Sequence, residues 1–461
     1  MGADQVNGYS TPTTVIAGET LNLHVSTRAA RFSADFYRFG NPARYVGSCD
    51  WPGAYVPDGV FDRDWQWPAY EFPVPRDWEP GAYIAVLRTS ATRPLTRPSA
   101  QKLDARCARL LFAIRPDSPR SGCLLVKLPL STYHAYNQAG GGSLYGTCDG
   151  VAPAQVSTVT LNRPGGGVGG PVKGVADYYD ASSPRQTFAH WDGKLLTWLD
   201  SEGIGYDVCT DLDIDQGMPL TGYSLIVSAG HDEYWTARTR EQIEDYCAHG
   251  GNLAVLGANT CWWRTRAKST GALLICEKFP PGAAGVDPDS TRGCPDKWWE
   301  ARPENSLLGA SYRNAGGHWD GPREQIGYEV RYPGHWAFDG TGLAAGDVFG
   351  AEGALVGYEC DGAQLDFDHD GRLGLTYRDG TPESLDLLGL AVLPEGPRSG
   401  WSFPVREHET SVRAATLSVH VAGGTVFNAG TTDWPRLLLT DPVVQLVTRN
   451  VLRRLGGEES L

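Results

Sequence analysis

The feature that most constrains this chain is a strand–helix–strand unit between Tyr223 and Arg264. The run from Tyr223 to Ala229 is short and apolar, the length a strand buried on both faces needs. It stops at Gly230 and leads into His231, Asp232, Glu233, Tyr234 and Trp235. Thr236 suits a helix N-cap, Ile243, Tyr246 and Cys247 recur at helical spacing, and Gly250-Gly251 suits a helix stop. A second apolar run, Asn252 to Leu256, exits into Gly257, Asn259, Cys261, Trp262, Trp263 and Arg264. A β-α-β crossover is right-handed and lays its strands in one sheet. Both polar exits then share the carboxyl edge, where open α/β sheets bind ligands.

Upstream, residues 1–120 read as an all-β sandwich. Leu21, Leu23 and Val25 alternate with polar residues, the period of a half-buried strand, and turns recur between short apolar runs. Pro116 to Pro119 reads as a linker. Residues 121–461 read as an α/β domain of the flavodoxin type, with an irregular insertion at about 265–420. Its first strand, Cys123 to Leu128, runs into Tyr133, His134, Tyr136 and Asn137. The glycine run Gly165 to Gly170 has neither the lysine nor the preceding strand of a phosphate loop, and reads as a mobile loop. Asp441 to Leu455 reads as a terminal helix. The acidic run Asp366 to Gly371 begins like a calcium loop, but Tyr377 stands where a bidentate glutamate belongs, so it reads as a solvated turn.

Forty basic against 54 acidic residues leave a net charge of −14, which argues against a nucleic-acid binder. No apolar run reaches the roughly 18 residues of a membrane span, and the N-terminus lacks a signal-like segment. A cytoplasmic protein with free thiols is expected, since the ten cysteines show no metal-knuckle spacing.

Four ordered stretches carry a family resemblance: Leu130–Asn137, Gly230–Trp235, Gly257–Arg264 and Arg302–Gly309. Together they resemble the large (β) subunit of N,N-dimethylformamidase and its C-terminal-domain relatives, over roughly residues 120–460. The resemblance implies a sheet domain similar to class I glutamine amidotransferases, hydrolysis of an amide C–N bond, and a separate small subunit. It also implies a mononuclear iron on two tyrosines and a carboxylate. Tyr234 matches one tyrosine, and Glu304, Asp296 and Glu300 are candidates for the carboxylate, with Tyr234 and Glu304 the expected metal ligands. The second tyrosine would fall near Gly193, where this chain reads Trp191-Asp192-Gly193.

Three chemistries suit these residues. In metal-assisted hydrolysis, iron would lower the pKa of a bound water, and His231 or Glu233 would be the base. In nucleophilic hydrolysis, Cys261 would attack, activated by His231. In metal-free acid–base catalysis, an aromatic cleft would hold a natural-product intermediate for tailoring. The same cleft in a protein without activity would make a ligand-binding module. The expected catalytic set is His231, Asp232, Glu233, Tyr234, Asn259, Cys261 and Glu304, with Asn259 donating to a developing oxyanion. The expected substrate contacts are Tyr133, His134, Tyr136, Asn137, Trp235, Trp262, Arg264 and Asn428. A small-molecule substrate is expected, with no nucleic-acid or membrane partner, and a homo-oligomer stays open.

Overall fold

The computed structural model describes residues 5–89, 107–145, 154–168, 177–180, 183, 185–268, 272–279, 292–319, 321–396, 398–405 and 412–457. The chain divides into two compact units. The first comprises residues 1–120, 130–216 and 266–276, and the second 121–129, 217–265 and 277–461.

The first unit opens with two sheets. Val6–Thr11, Thr20–Thr27 and Ala69–Pro73 form one, and Thr14–Ile16, Cys107–Arg115, Gly81–Arg88, Arg31–Arg38 and Arg44–Pro52 form the other. Alternation sends Leu21, Leu23 and Val25 inward onto Phe32, Phe36, Phe72 and Tyr83 in a common core. Each such side chain stabilises the fold by about 1.5–3 kcal/mol. Farther along this unit, the short helix Leu130–Tyr136 is buried throughout. Asp211 accepts hydrogen bonds from the N–H groups of Leu130 and Ser131 at 3.0 and 2.9 Å. Arg163 closes the other end by donating to the His134 and Ala139 carbonyls. Gly165, Gly166 and Gly167 press on the side chains of Asn137, His134 and Tyr133, where an added Cβ would lie 2.6 Å from each. Gly166 and Gly167 are buried, so this part of the expected mobile loop is packed structure, while Gly169 and Gly170 lie outside the described residues.

In the second unit the strand–helix–strand reading holds locally. The strands are Leu225–His231 and Asn252–Ala258, joined by the helix Ala237–Ala248. Thr236 caps that helix, its hydroxyl accepting from Thr239 N at 3.0 Å. Eight strands of this unit form a mixed sheet. Their order is Leu124–Leu128, Leu225–His231, Asn252–Ala258, Gly424–Asn428, Ala414–Ala422, Asp386–Val392, Tyr328–Val330, Val348–Phe349. The first four run parallel, and the rest are joined by antiparallel pairings. The reversal comes at the tight hairpin around Gly423, whose φ is 91°. A Cβ there would lie 2.5 Å from the Cys247 carbonyl oxygen.

This corrects the expected fold class. The described residues are mostly β, with 37% strand against 17% helix, and do not form a flavodoxin-like α/β fold. The β-rich character expected of the N-terminal region fits. In the antiparallel half, Ala414–Ala422 alternates polar and apolar residues from Thr416 to Val421, but such a period does not say which strand it pairs with or in which direction.

Candidate active site

Two glycines set the site's geometry. Gly230 and Gly257 face each other across the parallel pair Leu225–His231 and Asn252–Ala258. A Cβ on Gly257 would lie 2.4 Å from the Gly230 carbonyl oxygen, so only glycine lets the strands stay paired to their ends. Beyond them the two polar exits pair with each other. Tyr234–Thr236 runs parallel to Trp263–Thr265, Cys261 N donates to Asp232 O at 2.9 Å, and Trp263 N donates to Glu233 O at 3.0 Å. Asn259 and Cys261 take positive φ, 51° and 57°, a strained conformation for side chains larger than glycine.

A buried acid–base cluster results. His231 Nε2 lies 2.9 Å from Glu359 and 3.5 Å from Glu233. Burial alone would lower the His231 pKa, but Glu359, then Glu233 and Asp232, outweigh it and push it up to about 9. His231 is therefore an imidazolium at neutral pH and donates rather than accepts. Asn259 Nδ2 reaches the same Glu359 oxygen at 3.3 Å, and Trp319 Nε1 holds the other oxygen at 3.1 Å. Asp361 accepts from the N–H groups of Asn259 and Thr260 at 2.7 and 3.3 Å. Burial pushes its carboxyl up to about 8, against the pull of those two N–H groups. Burial likewise raises Glu304, against the opposing charge of Arg313. Glu304 Oε1 accepts the Ser311 hydroxyl, while Oε2 has no hydrogen-bond partner. Arg240, on the Ala237–Ala248 helix, fixes the segment before Glu304 by donating to the Arg302 and Pro303 carbonyls at 2.5 and 2.9 Å.

Other expected residues are committed elsewhere. Asp232 is held by Lys127 at 2.5 Å, Ser228 at 2.5 Å and Trp235 Nε1 at 2.9 Å. The Lys127 ammonium also lies over the Trp235 ring. Cys261 is fully buried, and burial pushes its thiol far up, the opposite of an activated thiolate. Its N–H is spent on Asp232, so it offers no oxyanion hole. Trp262 is buried edge-to-face against Tyr312. Arg264 pairs with Asp296 at 3.0 Å, and Glu300 accepts from Gly293 N at 2.8 Å. Asn428 bridges the Leu308 carbonyl and Gly430 N. Tyr133, His134, Tyr136 and Asn137 belong to the first unit and are buried there. Tyr133 donates to Asp192, Tyr136 stacks on Tyr145, and Asn137 donates to the Pro164 carbonyl.

Glu359, Asp361 and Lys278 were missed by sequence reasoning. They join the cluster only through the tertiary fold, and no spacing ties them to His231. Lys278 bears on the iron expectation. Tyr234 is fully buried, its hydroxyl is bonded by the Lys278 ammonium, and that ammonium lies 4.9 Å from the Tyr234 ring and 4.8 Å from the Trp263 ring. At the place of a second tyrosine stands Gly193, where a Cβ would meet the Phe188 carbonyl oxygen at 3.0 Å and the Phe39 ring at 3.1 Å, a tight fit that a side chain could take only if those neighbours gave way by a few tenths of an ångström. Among the described residues no three His, Cys, Asp or Glu side chains gather as a metal-ligand set. With glycine at position 193 and the Tyr234 hydroxyl bonded by Lys278, these residues do not fit a two-tyrosine iron centre.

A family model described as "N,N-dimethylformamidase beta subunit-like, C-terminal" matches residues 41–444. The N,N-dimethylformamidase beta subunit of Paracoccus aminophilus is 27% identical over 301 residues, covering 58% of this chain and 37% of the relative. The beta subunit of the same name from an Alcaligenes species is 39% identical over 74 residues, 16% of this chain and 10% of the relative. The chain thus spans well under half the length of these curated relatives. Among the described residues, no helix is long and apolar enough to cross a membrane.

Proposed function

The chain belongs to the N,N-dimethylformamidase beta subunit-like, C-terminal family, and from that premise we propose that it hydrolyses an amide-type C–N bond by acid–base catalysis in the buried cluster. Amide hydrolysis needs a proton taken from the attacking water and one given to the leaving nitrogen. Glu304 takes the first on Oε2, the oxygen with no hydrogen-bond partner. Its raised pKa makes it a stronger base than an ordinary carboxylate. His231 gives the second, since Glu359 and Glu233 keep it protonated. Asp361 holds the strained Asn259 turn against the cluster, which keeps Asn259 Nδ2 on the Glu359 carboxylate that charges His231.

The observation that carries this reading is the His231–Glu359 contact at 2.9 Å inside a cluster of raised carboxyls. Paired titratable groups pushed to different pKa values are how one site supplies both acid and base near neutrality. By analogy with relatives whose printed names call them subunits, the chain works alongside a second polypeptide.

The test is an amine-release assay of the purified full chain on N-alkylformamides and larger N-substituted amides, after metal chelation. Amine release that Glu304→Gln abolishes is the expected result. Release that the glutamine variant leaves intact would remove Glu304 from the mechanism. Release only after iron is restored would end the metal-free reading.

A further inference from the structure

Apart from the acid–base cluster, the second unit contains a cavity of about 460 Å3 lined by Arg292, Trp299, Glu300, Arg313, Arg378 and Asp379, among others. Two of its lining residues carry buried hydrogen-bond donors that have no partner among the described residues. Arg313 is 3% exposed and Trp299 8%. The Arg313 guanidinium lies 5.4 Å from the Trp299 ring centroid. Its Nη2 donates to Asn305 Oδ1 at 3.1 Å and to the Asp379 carbonyl at 2.6 Å. Among the described residues, Arg313 Nε and the Trp299 indole Nε1 have no hydrogen-bond partner.

The acidic side chains on the same wall do not supply the missing acceptors. Asp379 Oδ1 accepts from Thr381 N and Oγ1 at 3.1 and 2.7 Å. Its Oδ2 accepts from Asn314 Nδ2 at 2.8 Å and stands 3.6 Å from Arg313. Glu300 accepts from the N–H groups of Gly293 and Cys294. Arg378 reaches Asp366 at 2.9 Å across a half-exposed side chain. A buried donor left unmade costs about 1–3 kcal/mol, and native interiors pair most such groups with protein, ordered water or an ion.

We propose that this cavity binds an oxyanion, the carboxylate or phosphoryl group of a small-molecule ligand. The Arg313 guanidinium and the Trp299 indole receive its oxygens, and Arg292 and Arg378 complete the positive wall. A guanidinium and an indole N–H are both donor-only, so the guest must bring acceptors. The planar guanidinium suits a flat carboxylate or a phosphoryl face through paired charge-assisted bonds. The site stands apart from the hydrolytic reading, which neither supports nor requires it.

Calorimetry on the full chain tests it, with inorganic phosphate in one arm and malonate in the other, at constant ionic strength set by chloride. Saturable one-to-one binding in at least one arm is expected. The arm that binds names the group, and binding in both arms marks a general oxyanion site. The net charge of −14 works against diffuse anion binding, so a saturable signal reports a built site. Trp299→Phe keeps the ring and removes the N–H, and Arg378→Gln removes a rim charge. Either should weaken affinity about tenfold, the size of one charge-assisted bond. No saturable binding in either arm, or affinity unchanged in both variants, overturns the proposal.

Discussion

His134 and His231 are both buried, at 4% and 0% exposure, yet they carry opposite charge states. His134, on the Leu130–Tyr136 helix of the first unit, is pushed down to about 3 by burial and by the Arg163 guanidinium. His231, at the end of a parallel strand in the second unit, is pushed up to about 9 by Glu359 and Glu233 despite its burial. The difference teaches that burial alone keeps an imidazole neutral and inert. Only crowding by carboxylates turns it into a proton donor, and in the sequence both histidines sit in similar aromatic surroundings.

The largest effect separating the two regions concerns stability. His231→Leu leaves Glu359 and Glu233 without their cation and should lower the unfolding free energy by about 3–5 kcal/mol. His134→Leu swaps a neutral ring for a hydrophobe and should cost no more than about 1.5 kcal/mol. Urea unfolding of both variants at pH 7 reads the contrast directly, and equal losses break it. Next in size, Glu304→Gln should lower the rate of amide hydrolysis by about 100-fold or more with unchanged circular dichroism. A milder loss would mean another group takes the water's proton.

A subtler effect is in the pH dependence. The folded pKa of His231 is raised, so the stability it contributes is full below the ordinary 6.5 and lost as pH rises through about 9. His134 is shifted the other way. The unfolded chain takes up a proton that the folded chain refuses, so stability falls as pH drops from 6.5 toward 3. Histidine ring signals in NMR titrations should place the two midpoints on opposite sides of pH 6.5, and midpoints on the same side would collapse the comparison. The smallest expected effect is at Cys261. With its thiol pushed up by burial, Cys261→Ser should keep activity within about threefold, whereas complete loss would restore the nucleophile reading.

Much of the local structure was legible in the sequence. The Thr236 cap, the strand beginning at Asn252 and the stop at Gly250 follow from spacing and from residue types with a fixed local use. The sheet's character was not. Whether Ala414–Ala422 pairs with Asp386–Val392, and in which direction, is decided by contacts far apart in the chain. The site divided in the same way. His231, Glu233 and Asn259 stand beside the strand ends that the pattern marks. Tyr234 was expected as a metal ligand and is instead buried against Lys278, a residue no motif singles out. Glu359 and Asp361, which set the charge of the cluster, come from a stretch with no recognisable pattern.

The placement of Gly424–Asn428 beside Asn252–Ala258 has a consequence for how the molecule is made. During synthesis the ribosome releases the Asn252–Ala258 strand long before the segment that borders it, and Thr425 N reaches Asn252 Oδ1 at 2.8 Å only once about 170 further residues have been added. Until then one side of that strand carries bare amides and carbonyls, the kind of surface on which nascent chains stick to one another. Shortened versions that stop before Gly424 should therefore collect in inclusion bodies, and holding chaperones should matter most until Gly424–Asn428 has emerged.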